Sequence, residues 1–211
     1  MRTRHIRIAN HCACVAAFLA ILLVAVASPH IACAASVPST VQVEGEYYGK
    51  ETIVFSLRMT QDRFVKSYSN GVTIAGMKTA RGPVYYFVKK DGKLIVKVSQ
   101  DNLYRIGEVT NWETMTRLTT FVDDAHLVKE NRTDTEHSCR WYNAEKEKVR
   151  LCMNEQFGLP VYLESKGKII MRANRMNYTN ASVDPETLVN TYRRTGYRFI
   201  DADEDISPDM D

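Results

Sequence analysis

Apolar and polar residues alternate with a period of two over much of this chain, and that alternation predicts strands. Across Glu51–Met59, Ile53, Phe55, Leu57 and Met59 share one face, while Thr52, Ser56 and Arg58 share the other with Val54. Val84–Lys90 and Lys93–Val98 flank Asp91-Gly92, a dipeptide that tolerates positive φ in a two-residue hairpin turn. Pairing Lys90 with Lys93 sets Val88 opposite Ile95, Phe87 opposite Val96 and Tyr85 opposite Val98. One face of this hairpin, with Tyr85, Phe87, Leu94, Val96 and Val98, is then almost wholly apolar. The other, with Tyr86, Val88, Ile95 and Lys97, is mixed. This asymmetry suits a curved sheet with an apolar concave side.

Two more strand pairs follow. His137–Tyr142 returns as Lys148–Met153 through Asn143–Glu147, and Val161–Ser165 returns as Lys168–Tyr178 through Lys166-Gly167. Strands spaced this closely indicate a barrel or a strongly curved sheet. Helix is scarce. Asn111 caps a segment in which Trp112, Met115, Leu118, Phe121 and Val122 recur at helical spacing. Asp184-Pro185 opens a second helix of about two turns through Tyr192. The expectation is a mainly β domain over residues 35–200, with an acidic flexible tail at 201–211.

The N-terminal 34 residues change the compartment. Arg2, Arg4 and Arg7 precede the apolar run Val15–Ala27, and Ala32-Cys33-Ala34 follows Ser28-Pro29. These are the three zones of a secretory signal peptide, and the run is short for a membrane span of roughly 20 residues. The expected localisation is periplasmic. An uncleaved anchor and acylation at Cys33 are the alternatives; His30 stands where a lipobox prefers an aliphatic residue.

Charge and cysteine content follow from that reading. The full chain carries 28 basic and 25 acidic residues. Removing Arg2, Arg4 and Arg7 with the signal leaves the two in balance, so no nucleic-acid footprint remains. Cys139 and Cys152 are then the two cysteines left, and an even pair in an oxidising compartment reads as a disulfide. If Cys139 faces Cys152 directly, Trp141 falls opposite Arg150 and Tyr142 opposite Val149.

Catalytic motifs are missing: the sequence has no G-x-S-x-G elbow, H-E-x-x-H or P-loop. His126 with Asp123 and Asp124 reads as a solvated turn. Asp201, Asp203 and Asp205 share the spacing that opens a calcium loop, but Ile206 stands where the loop needs glycine. No metal, cofactor or catalytic residue is therefore expected. Phe55, Phe64, Tyr68, Tyr85, Phe87, Trp112, Phe121, Met171 and Met176 either line a cavity for an apolar ligand or fill a core.

Several short stretches resemble the periplasmic lipoprotein-carrier superfamily (LolA/LolB-like), most nearly its uncharacterised exported members. They are Arg63-Phe64-Val65-Lys66, Gly82-Pro83-Val84-Tyr85-Tyr86-Phe87 and Lys93–Val98, then Ser138-Cys139-Arg140-Trp141, Val149-Arg150-Leu151-Cys152 and Phe157-Gly158-Leu159-Pro160-Val161. Asp184-Pro185-Glu186-Thr187-Leu188 and Thr195-Gly196-Tyr197 resemble the closing segment. The resemblance implies an unclosed β-barrel whose apolar interior is covered by short helices and shelters lipid or acyl chains. On that expectation the chain is a non-catalytic envelope protein. It binds a hydrophobic ligand or lipoprotein through Phe55, Phe64, Tyr85, Phe87, Trp112, Phe121 and Met171, with the helix at Trp112–Val122 as lid. Membrane association is then transient or through acylation. The rival expectation is an envelope sensor or assembly factor that binds another protein with the same fold.

Overall fold

The computed structural model describes residues 40–105, 110–119 and 127–205. The signal segment with Cys33, the acidic residues 206–211, Phe121, Val122, and His126 with Asp123 and Asp124 lie outside the described residues.

Twelve strands form one sheet, antiparallel but for one pair. They are β1 (Thr40–Tyr48), β2 (Thr52–Met59), β3 (Arg63–Tyr68), β4 (Val72–Thr79), β5 (Gly82–Lys89) and β6 (Leu94–Ser99), then β7 (Leu127–Asp134), β8 (Cys139–Ala144), β9 (Val149–Asn154), β10 (Leu159–Ser165), β11 (Lys168–Thr179) and β12 (Arg198–Asp201). Four short helices accompany them: α1 (Gln100–Arg105), α2 (Trp112–Thr116), α3 (Pro185–Arg194) and α4 (Ala202–Asp205). The strand order is β12-β6-β5-β4-β3-β2-β1-β11-β10-β9-β8-β7. Two meanders, β1–β6 and β7–β11, are thus joined where β1 pairs with β11. The sheet does not close, since β12 and β7 are its ends. The mainly β class is what the alternation implies, and the unclosed sheet is what the resemblance implies.

Apolar burial explains the curvature. One core cluster joins residues of β1, β2, β3, β5 and β6 to residues of β8, β9, β10 and β11, together with Leu103, Trp112, Met115 and Leu118. Flat, a sheet with strands about 4.8 Å apart would keep its two halves far from each other. Here residues of both halves belong to one cluster with Trp112, Met115 and Leu118.

The opposite face carries two smaller cores. Behind β3–β6, Val65, Ala75, Tyr86, Val88 and Ile95 pack against Val183 and Val189 beside and on α3. The face of the β5–β6 hairpin expected to be mixed is therefore a second core, because α3 lies across it. Asp184 caps α3 by accepting from the backbone N–H of Glu186 and Thr187, and Pro185 sits at its first position. Behind β8–β11, Cys139, Trp141, Cys152, Val161 and Tyr162 form the third cluster.

The strand pairings correct some details of the sequence reading. The β5–β6 register is as expected, but the turn is longer. Lys89 pairs with Leu94, and Lys93, not Asp91 or Gly92, has positive φ at 44°. The loops Thr135–Ser138, Glu145–Lys148 and Glu155–Gly158 repeat the pattern, with Ser138, Lys148 and Gly158 left-handed. Such four-residue loops are commonly built on a type I turn. The Lys166-Gly167 turn is the two-residue form, both residues having positive φ.

The disulfide joins Cys139 to Cys152 across β8 and β9, with 5.3 Å between their Cα atoms. It is diagonal rather than directly cross-strand. Cys139 pairs with Asn154, and Cys152 with Trp141, because the strands run on to the pair Ala144 and Val149 rather than ending at Tyr142 and Lys148. The expected partners of Trp141 and Tyr142 shift accordingly, to Cys152 and Leu151.

Two ends also differ. The helix begun at Trp112 stops at Thr116, since Arg117 is already extended at φ −67°, ψ 150°. Thr116 returns its hydroxyl to the Trp112 carbonyl at 2.9 Å, an alternative to helical pairing that threonine favours. Asp201 and Asp203, expected in a flexible tail, are held. Asp201 ends β12, which runs parallel to β6, and accepts from Lys97 Nζ at 2.6 Å. Asp203 accepts from the Ser99 backbone N–H at 2.8 Å and from Asn102 Nδ2 at 2.7 Å.

Candidate ligand-binding interior

The registers lay out the concave wall in rows. One row reads Val41, Met59, Phe64, Gly76, Tyr85, Val98. The next reads Met176, Val43, Leu57, Lys66, Ile74, Phe87, Val96. Glycine has a specific role in the first row. A methyl group on Gly76 would collide with the rings of Phe64 and Tyr85, so the bare backbone there lets both rings lie down on the sheet. Gly45 serves the Phe55 ring in the same way.

Five of the expected ligand residues come together in this interior. Phe55, Phe64, Tyr85, Trp112 and Met171 are all buried in the large core cluster. Phe87 stands at its margin, half-buried. Of the two further residues considered, Tyr68 and Met176 also pack against the cluster. The contacts are close. The Trp112 ring meets Phe64 edge-on at 5.3 Å and stacks near Tyr85 at 6.4 Å, while Tyr47 and Phe55 lie 4.8 Å apart. Among the described residues these side chains pack into one cluster with Met115 and Leu118, and residues 110–119 form its plug.

Trp112 is also where the interior reaches the surface. A cleft of about 390 Å³ is lined by Lys78, Pro83, Gln100, Tyr104, Asn111 and Trp112 among others, and Lys78 Nζ sits 5.1 Å above the indole. The plug itself is short. Asn111 caps it by accepting from the Thr114 N–H at 2.9 Å, and five residues form the helix.

Polar groups of the wall hold the plug by its carbonyl oxygens. Lys66 Nζ donates to Arg117 O at 2.5 Å, and Tyr47 Oη to Leu118 O at 2.5 Å. Gln100 Nε2 donates to Thr110 O, while its Oε1 accepts from Tyr85 Oη at 2.6 Å. Lys66 is 2% exposed. Burial lowers its ammonium pKa to about 8 and raises the Tyr68 phenol to about 12. Tyr47 is pushed up further, by burial first and by Tyr68 second.

Sequence reasoning missed Lys66, Tyr47 and Gln100 as site residues. Period two does place Lys66 on the face of Phe64, but a lysine in an alternating run reads as the wet side of a strand. No group of three or more His, Cys, Asp or Glu side chains able to hold a metal occurs among the described residues. Nor is any helix there long and apolar enough to cross a membrane.

The class defined by fold and site is a mainly β protein, an open twelve-stranded sheet wrapped around a short, separately tethered plug. No protein-family model matches the chain, and no curated protein is similar to it.

Proposed function

We propose that this chain is an exported, non-catalytic envelope protein of the lipoprotein-carrier (LolA/LolB-like) kind. It shelters a lipid, an acyl chain or the acylated end of a lipoprotein in the space that residues 110–119 occupy. The observation that carries the reading is the nature of the filling. The wall is continuous sheet, whereas its centre is supplied by a five-residue helix and an extended tail. So short a helix has no stability of its own; it is held by the burial of Trp112, Met115 and Leu118 and by the hydrogen bonds from Lys66, Tyr47 and Gln100.

An apolar ligand can offer the same burial. Three such side chains are worth roughly 1.5–3 kcal/mol each, and a methylene about 0.8 kcal/mol. Roughly six to eleven methylenes therefore match the apolar burial of those three side chains, and a longer acyl chain has burial left to offset the hydrogen bonds that hold the segment. The Cys139–Cys152 disulfide fits an oxidising compartment such as the periplasm. Export itself rests on the Arg2–Ala34 segment.

The reading is tested by native mass spectrometry and lipid extraction of the protein purified from its own envelope. The expected result is a lipid-bound species; a uniformly ligand-free protein would contradict it. The second reading, an envelope protein that docks another protein, is favoured by the packed core cluster and by the place of β7 as the last strand of the sheet. That edge has Val128 54% exposed, but it also carries Lys129, Glu130 and Arg132, charges of the kind that guard an edge against pairing.

A further inference from the structure

The strand pairings send alternate turns to opposite ends of the sheet. Tyr47 faces both Ile53 and Met171, so the β1–β2 and β10–β11 turns share one end. The β3–β4, β5–β6 and β8–β9 turns fall at that end too. Arg198 opens β12 there, its N–H donating to Lys93 O at 2.8 Å. Residues 35–211 are balanced in charge, but the two ends do not share it evenly. At the end just described, Lys50, Lys90, Lys93, Lys146, Lys148 and Lys166 are exposed in the turns. Arg194 and Arg198, from the end of α3 and the start of β12, are exposed beside them. The turn carboxylates there are Glu51, Glu145 and Glu147, with Asp91, which lies 3.5 Å from Lys89. At the opposite end the loops 60–62, 80–81, 135–138, 155–158 and 180–184 set Asp62, Glu136, Glu155 and Asp184 against one arginine, Arg81, and no lysine.

The lysine-rich end also holds most of the apolar exposure. Tyr48, Val54, Val128 and Ile169, between 37% and 54% exposed, lie within three residues of the ends of their strands there. Tyr104 and Tyr178, the other large apolar side chains exposed among the described residues, lie toward the opposite end. Between the tips of the β8–β9 and β10–β11 hairpins, a cleft of about 370 Å³ is lined by Asn143, Glu145, Lys148, Arg150, Glu164 and Lys166. Glu130 and Glu164 already hold the Arg150 guanidinium, so the two lysines are what the cleft offers an incoming anion. Lysines on separate turns are point charges on flexible stems, without the rigid fork that matches one carboxylate. They suit an anionic surface that rearranges beneath them better than a fixed acidic partner. Tyrosine and aliphatic side chains beside such cations are the kind that settle where lipid head groups meet acyl chains.

We propose that this end of the sheet docks on a bilayer containing anionic phospholipids. Lys148 and Lys166 take lipid phosphates, Tyr48, Val128 and Ile169 enter the head-group layer, and the acidic end faces away. The surface is the same whatever the interior holds and needs no movement of residues 110–119. It therefore stands or falls separately from the carrier reading.

The test is flotation of the envelope-purified protein with vesicles of phosphatidylcholine, alone or with about one quarter phosphatidylglycerol. Binding to the anionic vesicles is expected to be at least about tenfold stronger, because exposed lysines are drawn to anionic lipid. It is expected to fall at least about fivefold between roughly 0.05 and 0.5 M salt, which screens exposed charges. K148E/K166E is expected to lower binding to the anionic vesicles about tenfold. R81E/R105E changes the net charge equally at the opposite end, where α1 follows β6, and is expected to leave binding within about twofold. Equal binding to both kinds of vesicle, or equal losses in the two variants, would overturn the proposal. So would retention on immobilised polyglutamate without vesicle binding, which would mark an acidic protein as the partner.

Discussion

A single lysine carries a pH signature that the rest of the molecule does not share. The Lys66 pKa falls from its ordinary value of 10.5 to about 8 on folding, through burial. Between those limits the unfolded chain holds a proton that the folded chain has lost, so stability rises with pH across the interval. The rise amounts to roughly 3 kcal/mol if complete, at 1.36 kcal/mol per unit. Above about pH 10 the buried phenols of Tyr47, Tyr68 and Tyr85 act in the opposite sense, because burial raises each of them and the unfolded chain ionises first. Urea unfolding from pH 7 to 11 is expected to show stability climbing from about pH 8 and turning down past pH 10. In K66M the climb is expected to vanish, with stability at pH 7 higher than in the parent chain because no buried ammonium remains. A flat profile in the parent chain would show that Lys66 is solvated. None of this is legible in the sequence, where Arg63-Phe64-Val65-Lys66 shows only alternation. The burial of Lys66 comes from residues about fifty positions away folding back onto it.

Among the elements, hairpins were easier to recognise than to place in register. The β5–β6 pairing follows from its apolar faces, since a slip by one residue would turn Tyr85 and Val98 outward. In β8–β9 both faces are partly apolar. Leu151 faces the large core and Cys152 the outer one, so pattern alone left the register free and the cysteines were aligned directly. The turn decides the matter: Lys148 adopts the left-handed region at φ 56°, giving a four-residue loop and a diagonal disulfide. A sequence separation of 13 corresponds to about 3 kcal/mol of stabilisation on the chain-entropy model. The C139A/C152A double variant is expected to lose about that much in denaturant unfolding. Because the bond lies on the outer face with Trp141 and Tyr162, ligand affinity is expected to stay within about twofold; a large loss of affinity would tie the two faces together. The short plug was overextended in the sequence reading because Leu118 keeps helical spacing although Arg117 has already left the helix. Strand β12 was missed for another reason. It is short, follows a helix and pairs in parallel with β6, a non-local contact that no hairpin signal announces.

At the scale of the whole molecule, two halves of one sheet share a core cluster with a segment that belongs to neither. Residues 110–119 are tied to the wall at Lys66, Tyr47 and Gln100, while β1 to β6 and β7 to β11 are tied to each other along entire strands. On the carrier reading this segment is the part of the interior that opens, local opening being how buried sites become accessible. Hydrogen–deuterium exchange read peptide by peptide, with and without saturating palmitate, tests this most directly. Ligand is expected to strip protection from residues 112–119 and to leave β1–β5 as slow as before or slower. If palmitate binds while residues 112–119 keep their protection, the interior is not where the ligand goes, and the carrier account is contradicted.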